Sequence, residues 1–160
     1  MSGSTEVLQF GDLKALVSKY AGSSAGRALI QGLEPHRERA VLENALADAG
    51  EAIAYNAELS GTQQTGRGAA IRLRFDQLRE LDAPLGVLQI EGAALTGSQI
   101  LDLFHSLAIA GEYRAALLSV AERYPRLARL ARQLVDLRDL ARRFERVFLP
   151  DGSLSDEASP

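Results

Sequence analysis

The chain has 160 residues, of which 46% are hydrophobic and 24% charged, the balance of an ordinary globular domain with enough length for one core. It has no cysteine, which excludes a disulfide framework or a thiolate metal site, and no apolar run near the ~20 residues that span a bilayer. A net charge of −3 argues against a dedicated nucleic-acid module, and the N-terminus carries no basic-then-apolar signal peptide, so a cytoplasmic protein is expected.

Phe10, Leu13, Leu16, Val17 and Tyr20 recur at helical spacing and predict a first helix, with Asp12 favouring its N-terminus and Gly22 stopping it. Ser23 or Ser24 caps a second, short helix carrying Ala28, Leu29 and Leu33, in which Gly26 suggests close helix packing. Glu34-Pro35 ends it, because the residue before proline avoids helical geometry. A third helix runs from about Arg37 to Glu58. Its expected core stripe is Val41, Leu42, Ala45, Leu46, Ala49, Ile53 and Ala57.

The polar, glycine-rich stretch from Ser60 to Gly68 is a loop. Ile71, Leu73 and Phe75 alternate as a short strand or as an extended lead into a helix covering Phe75 to Leu81. Asp82 and Pro84 open another short helix through Ile90, which Gly92 ends. Thr96 or Ser98 starts the longest helix, with Ile100, Leu101, Phe104, Leu107, Ala108, Gly111, Ala115, Leu118 and Val120 on its apolar face. Beyond Pro125, Leu127, Leu130, Leu134, Leu137, Leu140, Phe144 and Val147 form a stripe on two helices bent near Val135-Asp136. Asp151-Gly152 between apolar neighbours signals a tight turn or hairpin. The fold class is therefore all-α, one domain over residues 1–160 of about six to seven helices, with a small β feature near the C-terminal end.

Catalytic constellations are not apparent. Gly61 to Arg67 lacks the Lys-Ser/Thr of a phosphate loop, so a surface loop is the better reading. His36 and His105 have no partner at ligand spacing. Glu43, Asp48 and Glu51 lie on one helix, Asp48 and Glu51 close enough to be neighbours, but exposed carboxylates need desolvation or coupling before they do acid–base work. No catalytic, cofactor-binding or metal-binding residue is assigned. The one ambiguous signal is basic: Arg126, Arg129 and Arg132 lie three apart, and Arg142, Arg143 and Arg146 follow. Such a stripe suits phosphate, although no aromatics interleave to stack bases. The alternative is a solvated face whose alkyl stems cover the leucines.

Leu8-Gln9-Phe10, Tyr20-Ala21, Gly26-Arg27, Leu33-Glu34-Pro35 and Glu51-Ala52 together resemble the opening of the second bacterial MutS paralogue, the branch that bears an Smr domain. The stretch Asp151-Gly152-Ser153-Leu154-Ser155-Asp156-Glu157-Ala158-Ser159-Pro160 is similar to that family's Asp-Gly-x-Ile/Leu-x-Asp-x-Ala-Ser-Pro motif, and it is the more specific anchor. Between Ser60 and Gly92 the likeness is only a helix–loop–helix pattern. The resemblance implies a MutS core segment truncated before the long lever helices, linking ATPase and clamp movements. It implies ATP and Mg in the full-length protein but none here, since no ATP-binding motif falls in these residues. Its implied partners are the lever, clamp and ATPase domains of its own polypeptide. The whole protein would be a homodimer on branched DNA or ribosomes, with no membrane contact, an endonuclease too where an Smr domain follows, acting in recombination control, DNA repair or ribosome rescue. Without the resemblance, the residues read as a free-standing helical module binding protein or nucleic acid.

Overall fold

A computed structural model describes residues 9–60, 71–145, 147–149, 153 and 155. Among them lie seven α-helices: α1 (Phe10–Ser18), α2 (Ser24–Gln31), α3 (Arg39–Ser60), α4 (Asp82–Val87), α5 (Gly97–Ser119), α6 (Pro125–Gln133) and α7 (Arg138–Glu145). The expected all-α class is thus observed, and no strand longer than a single bridge residue, Phe148, forms among these residues. Near the C-terminal end, Leu149 N–H donates to Ser153 O and Ser155 N–H to Val147 O, both at 2.8 Å. These rungs give the small hairpin feature; the Asp151-Gly152 turn itself lies outside the described residues.

Helix ends follow local chemistry. Ser23 Oγ accepts from Gly26 N–H at 3.1 Å and caps α2. A Cβ on Gly26 would meet that same Oγ at 3.1 Å, so the glycine makes room for its own cap and not for a neighbouring helix. Thr96 and Gln99 form a capping box on α5: Gln99 N–H donates to Thr96 Oγ1 at 3.3 Å, and Thr96 N–H to Gln99 Oε1 at 2.9 Å. Gly92 adopts φ +79°, the left-handed geometry that turns the chain between α4 and α5. Phe75–Gln77 makes only a 3-10 turn, and the helix expected through Leu81 does not form.

Two long elements organise the fold. α6 and α7 both pack on α5, and α3 packs on α6. The buried cluster is Tyr55, Leu117, Val120, Tyr124 and Ala131, with Leu59, Leu73, Leu118 and Leu127 partly covered around it. On α6 and α7 the buried residues are alanines, Ala128, Ala131 and Ala141, while Leu130, Leu134 and Leu140 stay at least 40% exposed. The expected leucine core stripe is corrected at Leu130, Leu134 and Leu140, while Leu127, Leu137, Phe144 and Val147 are partly buried. Small side chains occupy the closest helix contacts, because axes can approach only where side-chain volume is low. The bend between α6 and α7 is real, and it is pinned to α5. Asp136 pairs with Arg138 at 2.6 Å and with Arg114 at 3.6 Å, and Arg114 Nε donates to Leu134 O at 3.0 Å. Gly111 accommodates the Arg138 stem, whose Cγ would lie 2.8 Å from a Cβ there.

Three tyrosines do what the leucine pattern did not foretell. Tyr55, 1% exposed, donates its hydroxyl to Ile71 O at 2.7 Å and accepts from Ile71 N–H at 3.0 Å. Tyr113 Oη accepts from Arg74 N–H at 2.6 Å, so the extended residues 71–74 are held without a partner strand. Tyr55 and Tyr124 meet edge to face at 5.2 Å, and Phe104, Phe144 and Phe148 stack at 3.9 and 5.9 Å, tying the hairpin to α5.

Tyr55→Phe strands both polar groups of Ile71 and should cost about 1–3 kcal/mol in urea unfolding; a loss under about 0.5 kcal/mol would show that water replaces the hydroxyl. Ser106 Oγ is buried with no hydrogen-bond partner among the described residues. Ser106→Ala should therefore be neutral or stabilising by up to about 1 kcal/mol, and a destabilisation in the same assay would reveal a partner.

Candidate functional site

The most connected polar site lies where α3 crosses the start of α6. Asn44, Asp48, Glu51, Tyr55 and Glu58 recur every three or four residues and share one face of α3. Across from them, α6 begins at Pro125 after Tyr124, an N-cap position with no side-chain cap. A helix start leaves backbone N–H groups without intrahelical acceptors and carries partial positive charge. Glu51 Oε1 accepts from Leu127 N–H at 2.7 Å and supplies the missing cap from another helix.

The flanking carboxylates take the arginines. Asp48 Oδ1 accepts from Arg126 Nη1 at 2.7 Å, and Arg129 Nη2 reaches both Asp48 oxygens at 3.1 Å. Glu58 accepts from Arg123 Nη1 at 2.6 Å through one oxygen and from the Tyr124 hydroxyl at 2.5 Å through the other. The hydrogen bond from Arg126 holds the Asp48 carboxyl below its ordinary pKa, with the Arg129 charge adding to it against partial desolvation. Glu58 is lowered first by the Tyr124 hydrogen bond and then by Arg123; the same bond raises the Tyr124 phenol.

This geometry gives Arg126 and Arg129 an internal task. Arg142 sits 3.7 Å from Asp139 on an exposed turn. Arg132 and Arg143 are exposed and pair with no carboxylate among the described residues, and Arg146 lies outside them. Arg126 and Arg129 are therefore engaged on Asp48 and not part of a free basic stripe. Of the acidic trio, Asp48 and Glu51 are neighbours as the spacing predicts, while Glu43 turns away and pairs with Arg39 at 2.6 Å. His36 and His105 are exposed, and no group of three or more metal-ligating side chains occurs among the described residues. All but the first residue of the Ser60 to Gly68 loop lies outside them, as does most of the C-terminal motif. The 4-3-4-3 spacing of polar residues on α3, set against an α6 start without a capping side chain, is the signal in the sequence that identifies this contact.

The lowered carboxyl pKa values fix a pH dependence. Asp48 and Glu58 contribute full stability above the unfolded carboxyl range near pH 4 and lose it as pH falls through their lower folded values. The Asp48→Asn, Glu58→Gln double variant should be less stable at pH 7 and lose less on going from about pH 5 to about pH 2. Urea midpoints across that range check it, and parallel acid limbs would exclude the pair as the cause. Comparison with protein family models, with curated proteins and with solved structures finds no match to this chain.

Proposed function

We propose that this chain is a non-catalytic scaffold segment of a MutS-like, DNA-binding ATPase, linking movements of an ATPase to movements of a clamp. The observation that carries the reading is the distribution of apolar side chains. α1 and α2 pack on each other and, among the described helices, on no other, yet they expose Leu13, Leu16, Tyr20, Leu29 and Leu33 at 51–84%. A self-sufficient domain of this size seldom leaves so many large apolar groups of one helical hairpin in water. Further polypeptide covering the α1–α2 hairpin resolves that cost, and a core segment within a larger machine supplies it. The short motifs shared with the second MutS paralogue, from Leu8-Gln9-Phe10 to the Asp151–Pro160 stretch, name the machine.

The rigid part suits transmission. α3 spans about 33 Å at 1.5 Å per residue and is fixed to α6 and to the residues just before it at several points along its length. A displacement at one end of such a strut is delivered at the other, provided the clasp holds. ATP, Mg and the nucleic-acid contacts belong to other domains in this reading. The residues in hand provide position and stiffness.

The test has two parts. The isolated chain should neither bind nor hydrolyse ATP, and the encoded protein should continue into a strand, a Gly-x-x-x-x-Gly-Lys-Ser/Thr loop and a helix. In that protein, Leu16→Asp with Leu29→Asp should leave nucleotide binding intact and lower DNA-stimulated ATP hydrolysis about tenfold, the size of an ordinary coupling energy. Nucleotide turnover by the isolated chain, or a gene product without the nucleotide loop, would remove the reading.

A further inference from the structure

We propose that the α1–α2 hairpin is an order–disorder switch: residues 10–33 fold and unfold as a unit of their own while the body built on α3, α5, α6 and α7 stays folded. The polar contacts of the hairpin are internal. Lys14 Nζ donates to Gln31 O at 2.7 Å and to Leu33 O at 3.2 Å, which caps the end of α2 from α1. Gln31 Nε2 donates to Ser18 Oγ at 2.8 Å, and Arg27 Nη1 to Ala21 O at 3.2 Å. Among the described residues, no hydrogen bond, ion pair or ring contact joins residues 9–35 to residues 39–149. The connection through residues 34–38 is exposed and forms no helix.

Little else holds these helices. α1 has 9 residues and α2 has 8, lengths at which the cost of the first turn leaves an isolated helix marginal in water. Tertiary burial normally makes up that cost, but the only buried residue of the two helices is Ser18. Leu13, Leu16, Val17 and Tyr20, at the i, i+3, i+4, i+7 spacing of a core-facing stripe, are exposed instead. The hairpin meets the body at Gly22, where a Cβ would lie 3.0 Å from Asp76 N and 3.3 Å from the carbonyl carbon of Phe75. That dock belongs to the body: the Phe75 ring meets Tyr113 edge to face at 5.8 Å, and the Tyr113 hydroxyl accepts from Arg74 N–H. Opening the hairpin therefore removes one close backbone contact and no core side chain, which places it at the low end of local opening free energies. Any contact made to the ordered hairpin is thereby coupled to its folding, with α3 and α6 left as they are. The switch is a property of this chain and does not rest on the scaffold reading.

Native-state hydrogen exchange on the full chain reads the two units separately. Amides of residues 13–18 and 27–31 should be protected about 100-fold or less, and those of residues 109–117 in α5 about 10 000-fold or more. Tyr55→Phe, which weakens the body, should lower protection in α3 and α5 by about tenfold and leave the hairpin amides unchanged. Gly22→Val drives a branched side chain against the Phe75–Asp76 backbone. It should abolish hairpin protection, keep that of α5, and reduce helical circular dichroism by no more than the share of α1 and α2. Hairpin amides as protected as those of α5, or falling with them in Tyr55→Phe, would show one cooperative unit and overturn the proposal. So would a Gly22→Val chain that keeps hairpin protection or unfolds throughout.

Discussion

The contact on which the described fold depends is Glu51 at the first turn of α6. Tyr124-Pro125 starts a helix with fixed φ and no capping side chain, so the exposed N–H groups must find acceptors elsewhere. Glu51 provides one, and its position brings Asp48 to Arg126 and Arg129 one turn away and Glu58 to Arg123 and Tyr124 at the other side. Taken singly, half-exposed ion pairs contribute little, because solvent screens them and long side chains lose entropy. Here they share partners with a helix terminus and with the Tyr55–Tyr124 ring contact, so one rigid-body placement satisfies all of them at once.

That placement determines what faces water. With its polar face committed to α6, α3 must turn its other side outward, and that side carries Leu42, Leu46 and Ile53. The inversion costs hydrophobic burial that an ordinary amphipathic helix would gain. It persists because the competing arrangement would bury leucines while leaving the α6 start uncapped and two carboxylates and three arginines to find new partners. Burying any of those unpaired costs more than exposing an aliphatic side chain. The exposed apolar surfaces of α3 and of the α1–α2 hairpin thus follow from a decision made at the α3–α6 crossing.

Periodicity in the sequence located the helices, and local caps located several of their ends. Ser23 before α2 and Thr96 before α5 are readable without a structure, since a cap's partner lies within one turn. The face each helix buries was less legible. Leucine and alanine score alike in an apolar pattern, yet on α6 and α7 the alanines are the fully buried residues, Leu127 is partly covered, and Leu130 and Leu140 face outward. On α3 the most apolar stripe, from Val41 to Ala57, is the one left uncovered, because tertiary pairing overrode amphipathicity. The tyrosine anchors were illegible for a related reason. Tyr55 and Tyr113 bind backbone groups 16 and 39 residues away, and no spacing rule in one sequence reaches that far. The arginine series shows the same limit: its three-residue spacing is equally suited to a phosphate and to Asp48, and only the position of α3 selects between them.

A helix fixed by its polar face and free on its apolar face has an uneven response to perturbation. Salt and low pH act on the clasp, since its groups are charged and partly solvated, whereas they leave the outward stripe of Leu42, Leu46 and Ile53 untouched. Association through that stripe would instead respond to temperature and denaturant, the agents that alter apolar hydration. The two faces of α3 are therefore separable by solvent conditions. The clasp, made of several contacts that share partners, is what fixes α3 against the start of α6. The outward stripe shares no side chain with those contacts, so a change on one face of α3 leaves the groups of the other face in place.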